Sequence, residues 1–204
     1  MTTLREKLLD TQRMKSDHYD LFVAAGKEFQ KNNKTWNGGS TPEYAPYIKE
    51  LFDKHQCESL LDYGCGKALH YEKNSVFNFG TEENHLTFDE YLGAKTVFKY
   101  DPCVDHYSTL PPEGTKFDAV ILIQCVGLIP DADIQWVKNL VMNYATKFVF
   151  IGEKAYGTNV KTKKIMLPDQ QQYKSEKRDA GWWDTKWRDG WTGPELVIHL
   201  SNKQ

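Results

Sequence analysis

Cysteine is sparse in this chain: Cys57, Cys65, Cys103 and Cys125 are its 4. None of them stands in a C-x-x-C pair, which excludes a thioredoxin-like redox centre and argues against a zinc site. Unpaired thiols suit a reducing, cytoplasmic setting. Long apolar runs are missing too, and nothing approaches the roughly 18 residues of a membrane span. Residues 1–15 are charged where a secretory leader would be apolar. The expectation is a soluble, cytoplasmic protein with no membrane partner. Charge of one sign is also lacking, since 26 Lys and Arg face 28 Asp and Glu for a net −2. No global field draws the molecule to nucleic acid, so any such contact needs a local patch. Internal repeats and low-complexity tracts are absent.

A length of 204 residues with 40% apolar content fits one domain with a substantial core. Residues 1–45 read as an amphipathic helical cap followed by a loop: Leu8, Tyr19, Phe22 and Phe29 recur among charges, and Trp36 and Gly38-Gly39-Ser40 mark the loop. From Pro46 to His55, Tyr47, Ile48, Leu51 and Phe52 stand at helical spacing. Residues 56–153 alternate short apolar strands with helical stretches. That order implies a mostly parallel α/β sheet with helices on both faces. The interval 67–94 is irregular, with Asn74-Ser75, Asn78 and Gly80-Thr81 as breakers and a short helix at 87–92. The interval 103–115 is too short for a helix, a strand and another helix, so the third strand unit is shortened or lost. Residues 133–144 read as a helix and 147–152 as a buried strand. Residues 161–204 hold a basic hairpin, a Trp-rich segment and a final apolar strand over 196–200, expected to be antiparallel.

The most informative stretch is Ser59-Leu60-Leu61-Asp62-Tyr63-Gly64-Cys65-Gly66-Lys67-Ala68. An apolar run that stops at glycine is a buried strand entering a tight turn, and the glycines allow positive φ or close backbone approach. A dinucleotide fingerprint would need a third Gly where Leu69 stands. The pattern instead resembles D-x-G-x-G-x-G, the first motif of class I S-adenosylmethionine-dependent methyltransferases, with Ala68 in place of the last Gly. Thr96-Val97-Phe98-Lys99-Tyr100-Asp101-Pro102 is a β-rich run closed by an acid and a proline. Lys116 to Gln124 resembles the family's fourth strand. The likeness spans about residues 40–183 and is nearest to small phage and bacterial methyltransferase-like proteins.

This resemblance implies a Rossmann-like sandwich with an antiparallel C-terminal strand, S-adenosylmethionine as cofactor, and methyl transfer as the activity. It implies that residues Asp62, Tyr63, Gly64, Cys65, Gly66 and Lys67 cradle the cofactor and that Asp101 accepts the ribose hydroxyls. Pro102, Leu110 and Val126 would supply apolar walls for the adenine, a pattern that ordinary packing explains equally well, and Gln124 and Cys125 would also touch the cofactor. After the fourth strand the family's polar residues are replaced: Gln124 for an acid, Gly127 for Glu and Leu128 for His. That substitution leaves room for an alternative, a regulatory protein that binds the cofactor without transfer or an enzyme that cleaves it. Catalytic candidates are His106, Tyr107 and Gln124, of which the first two also suit an ordinary exposed loop. A nucleophilic role for Cys125 lacks the preceding proline of cytosine-C5 methyltransferases, and no N-P-P-Y-like sequence points to an exocyclic amine. Trp183, Trp187 and Trp191 recur every four residues, a spacing that suits core packing before stacking. The basic run Lys161, Lys163, Lys164, Lys174, Lys177 and Arg178 is diluted by acids. The expected acceptor is therefore a small molecule or peptide ahead of nucleic acid, entering between the N-terminal and Trp-rich segments.

Overall fold

The computed structural model describes residues 16–32, 36–155, 163–166, 172–175 and 179–202. In chain order the elements are α1 (Asp17–Asn32), α2 (Thr41–Lys54), β1 (Ser59–Tyr63), α3 (Phe88–Leu92), β2 (Thr96–Tyr100), β3 (Phe117–Ile123), α4 (Ile134–Tyr144), β4 (Ala145–Ala155), β5 (Lys163–Met166), β6 (Gln172–Ser175), α5 (Ala180–Arg188) and β7 (Glu195–Asn202). A five-stranded sheet runs β2-β1-β3-β4-β7, and every neighbouring pair in it is parallel. β5 and β6 pair antiparallel as a separate ribbon.

Both faces of the sheet are covered, and the two-residue period of the strands decides which side chain goes where. Leu61, Val120, Leu122, Val149 and Ile151 point to a core shared with Tyr19 of α1, Val137 and Val141 of α4, and Trp183 and Trp187 of α5. Their chain neighbours Leu60, Ala119, Ile121, Phe148 and Phe150 point to the opposite core, closed by Tyr44, Ile48 and Phe52 of α2 and by Phe88 and Leu92 of α3. Such two-sided burial is why these strands read as continuous apolar runs.

Several expectations change. The last strand is parallel to β4, not antiparallel. The cause is α5: with Trp183 and Trp187 buried, this helix packs over one face and makes the β4-to-β7 connection a crossover, which returns the chain to the starting end of the sheet. Its start is fixed by Asp179, whose side chain accepts the Trp182 N–H at 2.8 Å. Helix α2 starts at Thr41 rather than Pro46. Pro42 sits in its first turn, where a missing N–H costs nothing, and Tyr44 extends the buried stripe of Ile48 and Phe52 backwards. After β1 the chain forms only a 3₁₀ turn, Leu69–Tyr71, before α3. Between β2 and β3 the 3₁₀ turn Asp105–Tyr107 stands where another strand unit would fit, leaving β2 as the sheet edge.

Candidate functional site: a cavity at the carboxyl ends of the strands

Parallel strands end on one side, so the turns after β1, β2 and β3 crowd a single edge of the sheet. A cavity of about 360 Å³ lies there, in the size range of small-molecule sites. The end of β1 supplies residues 62–66. The end of β2 adds Asp101, Pro102 and Cys103, and the end of β3 adds Ile123, Gln124 and Cys125. Across from them stand Tyr19 and Phe22 of α1, the strap 36–41 that enters α2, and His70 from the 3₁₀ turn.

The glycine turn is held by protein contacts. Gly64 and Gly66 have φ of +85° and +59°, and a Cβ on them would lie 2.5 Å from Cys125 Cβ and 2.2 Å from the Trp36 carbonyl oxygen, respectively. Lys67 N–H donates to that same Trp36 carbonyl at 2.6 Å, pinning the strap to the turn. Ala68 adopts φ +54°, the left-handed conformation that glycine tolerates best. Gln124 is left-handed as well, at φ +49°. Its backbone N–H donates to the Gly152 carbonyl at 2.7 Å, continuing the β3–β4 ladder through the bend.

Asp101 is 7% exposed. One carboxylate oxygen accepts the Gly66 N–H at 2.9 Å and the other the Cys103 N–H at 2.8 Å, so the acid that closes β2 also fastens the β1 turn. Burial pushes its carboxyl up to about 6, against the downward pull of those backbone bonds, and the neighbouring Asp62 charge adds to the rise. Asp62, 2% exposed, accepts at the same oxygen from His70 Nε2 and from the Tyr71 hydroxyl, both at 3.0 Å. Burial raises the Cys65 and Cys103 thiols. Cys125 is raised by burial and then by the charge of Glu153, and its Sγ–H donates to the Tyr63 carbonyl at 3.2 Å. These groups are neutral thiols, not activated nucleophiles.

Of the residues expected at a cofactor site, Asp62, Tyr63, Gly64, Cys65, Gly66, Asp101, Pro102, Gln124 and Cys125 share this wall. Lys67, Leu110 and Val126 do not; Leu110 packs against the core and Val126 within it. Neither His106, which is exposed, nor Tyr107, which is half-buried, lines the cavity; the Tyr107 carbonyl accepts the Asp101 N–H at 3.0 Å and its ring lies under the Lys99 ammonium. Gln124 is the catalytic candidate that reaches the cavity. Trp183 and Trp187 are core residues, and the Trp191 indole N–H donates to the Pro194 carbonyl at 2.7 Å. Of the basic run, Lys163, Lys164 and Lys174 fall on the β5–β6 ribbon, and Lys161, Lys177 and Arg178 lie outside the described residues. Leu128, in the segment after β3, also lines the cavity; His70, Cys103 and the strap 36–41 belong to no motif, and nothing in the sequence marks them as part of a site. Compared with known proteins, the chain matches no family model, no curated protein and no solved structure.

Proposed function

We propose that the cavity binds S-adenosylmethionine and that the protein transfers its methyl group to a small-molecule or peptide acceptor. The observation that carries this is the charge of the wall. Two buried carboxylates, Asp62 and Asp101, stand with the rings of Tyr19, Phe22, Trp36 and Tyr63, and among the described residues no Lys or Arg lines the cavity. A sulfonium cation gains from aromatic faces and nearby carboxylates. A pyrophosphate would gain nothing, and the helix N-terminus that a dinucleotide needs after β1 is replaced by the Leu69–Tyr71 turn. Each carboxylate oxygen of Asp101 has a second lone pair beyond its backbone bond, which suits it to ribose hydroxyls. Methyl transfer is an in-line displacement, for which positioning can supply up to about 7–11 kcal/mol without a strong base.

The second reading, cofactor binding or cleavage without methyl transfer, draws on the β3 end. There Gln124 replaces an acid and Cys125 is a hydrogen-bonded neutral thiol. Calorimetry with S-adenosylmethionine, followed by mass analysis after incubation with candidate acceptors, separates the cases. A methylated acceptor and S-adenosylhomocysteine establish transfer; methylthioadenosine establishes cleavage; unchanged cofactor establishes binding alone. Absence of binding heat for both S-adenosylmethionine and S-adenosylhomocysteine, across temperatures, overturns the cofactor assignment.

A further inference from the structure

We propose that the strap and the first turn of α2 hold the carboxylate at the amino-acid end of the bound cofactor, through Asn37, Ser40 and Thr41. The inference rests on the cofactor assignment above and specifies which part of the chain meets that end of the ligand. Helix α2 leads through residues 55–58 into β1, so it runs back along the sheet and its N-terminus lies at the carboxyl ends of the strands, where Ser40 and Thr41 join the cavity wall. The dipole of this 14-residue helix favours an anion at that end. A second observation marks the same place. Thr41 is 3% exposed and lines the cavity, yet its hydroxyl has no hydrogen-bond partner among the described residues, and the oxygen is not sealed within the protein. Buried polar groups are nearly always paired, so an open hydroxyl on a cavity wall marks where a ligand atom belongs.

Two neighbours on the wall are uncommitted in the same way. Ser40 stands at the N-cap of α2, but its side chain makes no capping bond. Asn37 uses its side-chain oxygen to accept the Gly39 N–H at 3.0 Å, which leaves its amide hydrogens without a partner among the described residues. The strap that carries these donors is already held in place: the Trp36 carbonyl accepts the Lys67 N–H at 2.6 Å, and the Gly38 carbonyl accepts the Thr41 N–H at 3.0 Å. Asp62 and Asp101 select the kind of anion. A lone anion would be repelled by these carboxylates of the same wall, whereas one carried beside an ammonium would not. His70 and Tyr71 both bond Asp62 Oδ2, and Oδ1 takes no hydrogen bond from the described residues, so it is left to face that ammonium. A zwitterionic amino-acid group therefore suits the strap and Asp62 together.

The test compares S-adenosylhomocysteine with its decarboxylated analogue, in which hydrogen replaces the α-carboxylate. By calorimetry, wild type should bind the carboxylate-bearing ligand about ten- to a hundredfold more tightly, the range of a charge-assisted hydrogen bond. Thr41→Val keeps the shape of the side chain and removes the hydroxyl. Because that hydroxyl has no partner in the free protein, the variant should melt no lower than wild type, while its affinity for S-adenosylhomocysteine falls about tenfold and its affinity for the analogue holds. Ser40→Ala should act in the same way, and the double variant should bind the two ligands about equally. Backbone amide NMR of the wild type provides a readout that needs no variant to fold: the signals of residues 37–41 should move further with S-adenosylhomocysteine than with the analogue. Equal binding of both ligands by wild type, or a Thr41→Val variant that loses thermal stability and affinity for both ligands alike, overturns the carboxylate assignment alone. Failure of both ligands to bind wild type overturns the cofactor assignment and this inference with it.

Discussion

Asp101 is folded into a place that opposes its charge. Its carboxyl rises from 3.8 to about 6, mainly through burial, so the native state holds the proton more tightly than the unfolded chain does. With a raised folded value, the stability contribution is fully present below the unfolded pKa and is lost as pH rises through about 6. The full loss should be about 3 kcal/mol, at about 1.36 kcal/mol for each tenfold difference in proton affinity between the folded and unfolded chain, and most of it falls across pH 4–7. Urea denaturation of wild type and Asp101→Asn should differ in slope across that interval, and parallel profiles would show that Asp101 titrates normally. A ligand whose hydroxyls donate to the ionised form will compete with the proton. Affinity for S-adenosylhomocysteine should then weaken about tenfold from pH 7 to pH 5, where about a tenth of Asp101 is ionised. The turn offers a matched pair of tests. Ala68→Gly relieves a left-handed alanine, and the gain of about 1–2 kcal/mol less the entropic cost of glycine leaves about 0.5–1 kcal/mol of added stability. Gly66→Ala does the reverse, because its Cβ meets the Trp36 carbonyl at 2.2 Å. It should lower the melting temperature as well as binding; intact stability with lost binding would mean that the turn moves freely.

At the scale of elements, what could be read in advance follows from which interactions leave a periodic trace. The pairs Leu60/Leu61 and Phe148/Val149 alternate between opposite cores, so the strands were visible as apolar runs, and the acid ending β2 was visible because a proline stops the strand behind it. An apolar run has no direction, however, and the parallel course of β7 depends on α5 becoming a crossover helix, which glycines at 181 and 190 obscured. His70 was hidden for a different reason. Its pairing with Asp62 spans eight residues through an irregular turn, where neither the 3.6 nor the 2.0 period applies. Helix α1 was legible as amphipathic, but its mooring was not. Ser16, just before its first turn, donates through N–H at 2.7 Å and Oγ–H at 2.6 Å to the two oxygens of Asp133, a fully buried acid that precedes α4. Since α1 carries Tyr19 and Phe22 into the cavity wall, this bond couples the cover to the β3 end of the site. Ser16→Ala keeps the backbone bond and loses the hydroxyl one, worth about 1.5–3 kcal/mol for a charged acceptor. Amide hydrogen exchange in α1 should quicken while that of β1 and β3 holds; uniform change across all elements would mean that α1 opens only with global unfolding.

For the whole molecule, the sheet gathers its strand ends, its strap and its first helix around one electronegative cavity in a chain of net charge −2. Neither the surface average nor the described cavity wall favours phosphate, so ligand choice should follow charge more than shape. Adenosine links the candidates: S-adenosylmethionine carries a sulfonium, whereas ATP and NAD carry phosphates on the same nucleoside. A ligand that binds only the native state stabilises it by about 2.7 kcal/mol at about 100 times its Kd. In a chain of this length each kcal/mol moves the midpoint by about 2–4 °C. Thermal unfolding with S-adenosylmethionine in that excess should therefore shift upward by roughly 5–10 °C, while equal concentrations of ATP or NAD should leave the midpoint nearly unchanged. Raising the salt should weaken the sulfonium effect only modestly, because carboxylates enclosed in a cavity are screened far less than surface charges. A larger shift with NAD than with S-adenosylmethionine would mean that phosphate finds a cationic partner outside the described wall, and would return the Gly64–Gly66 turn to the dinucleotide class.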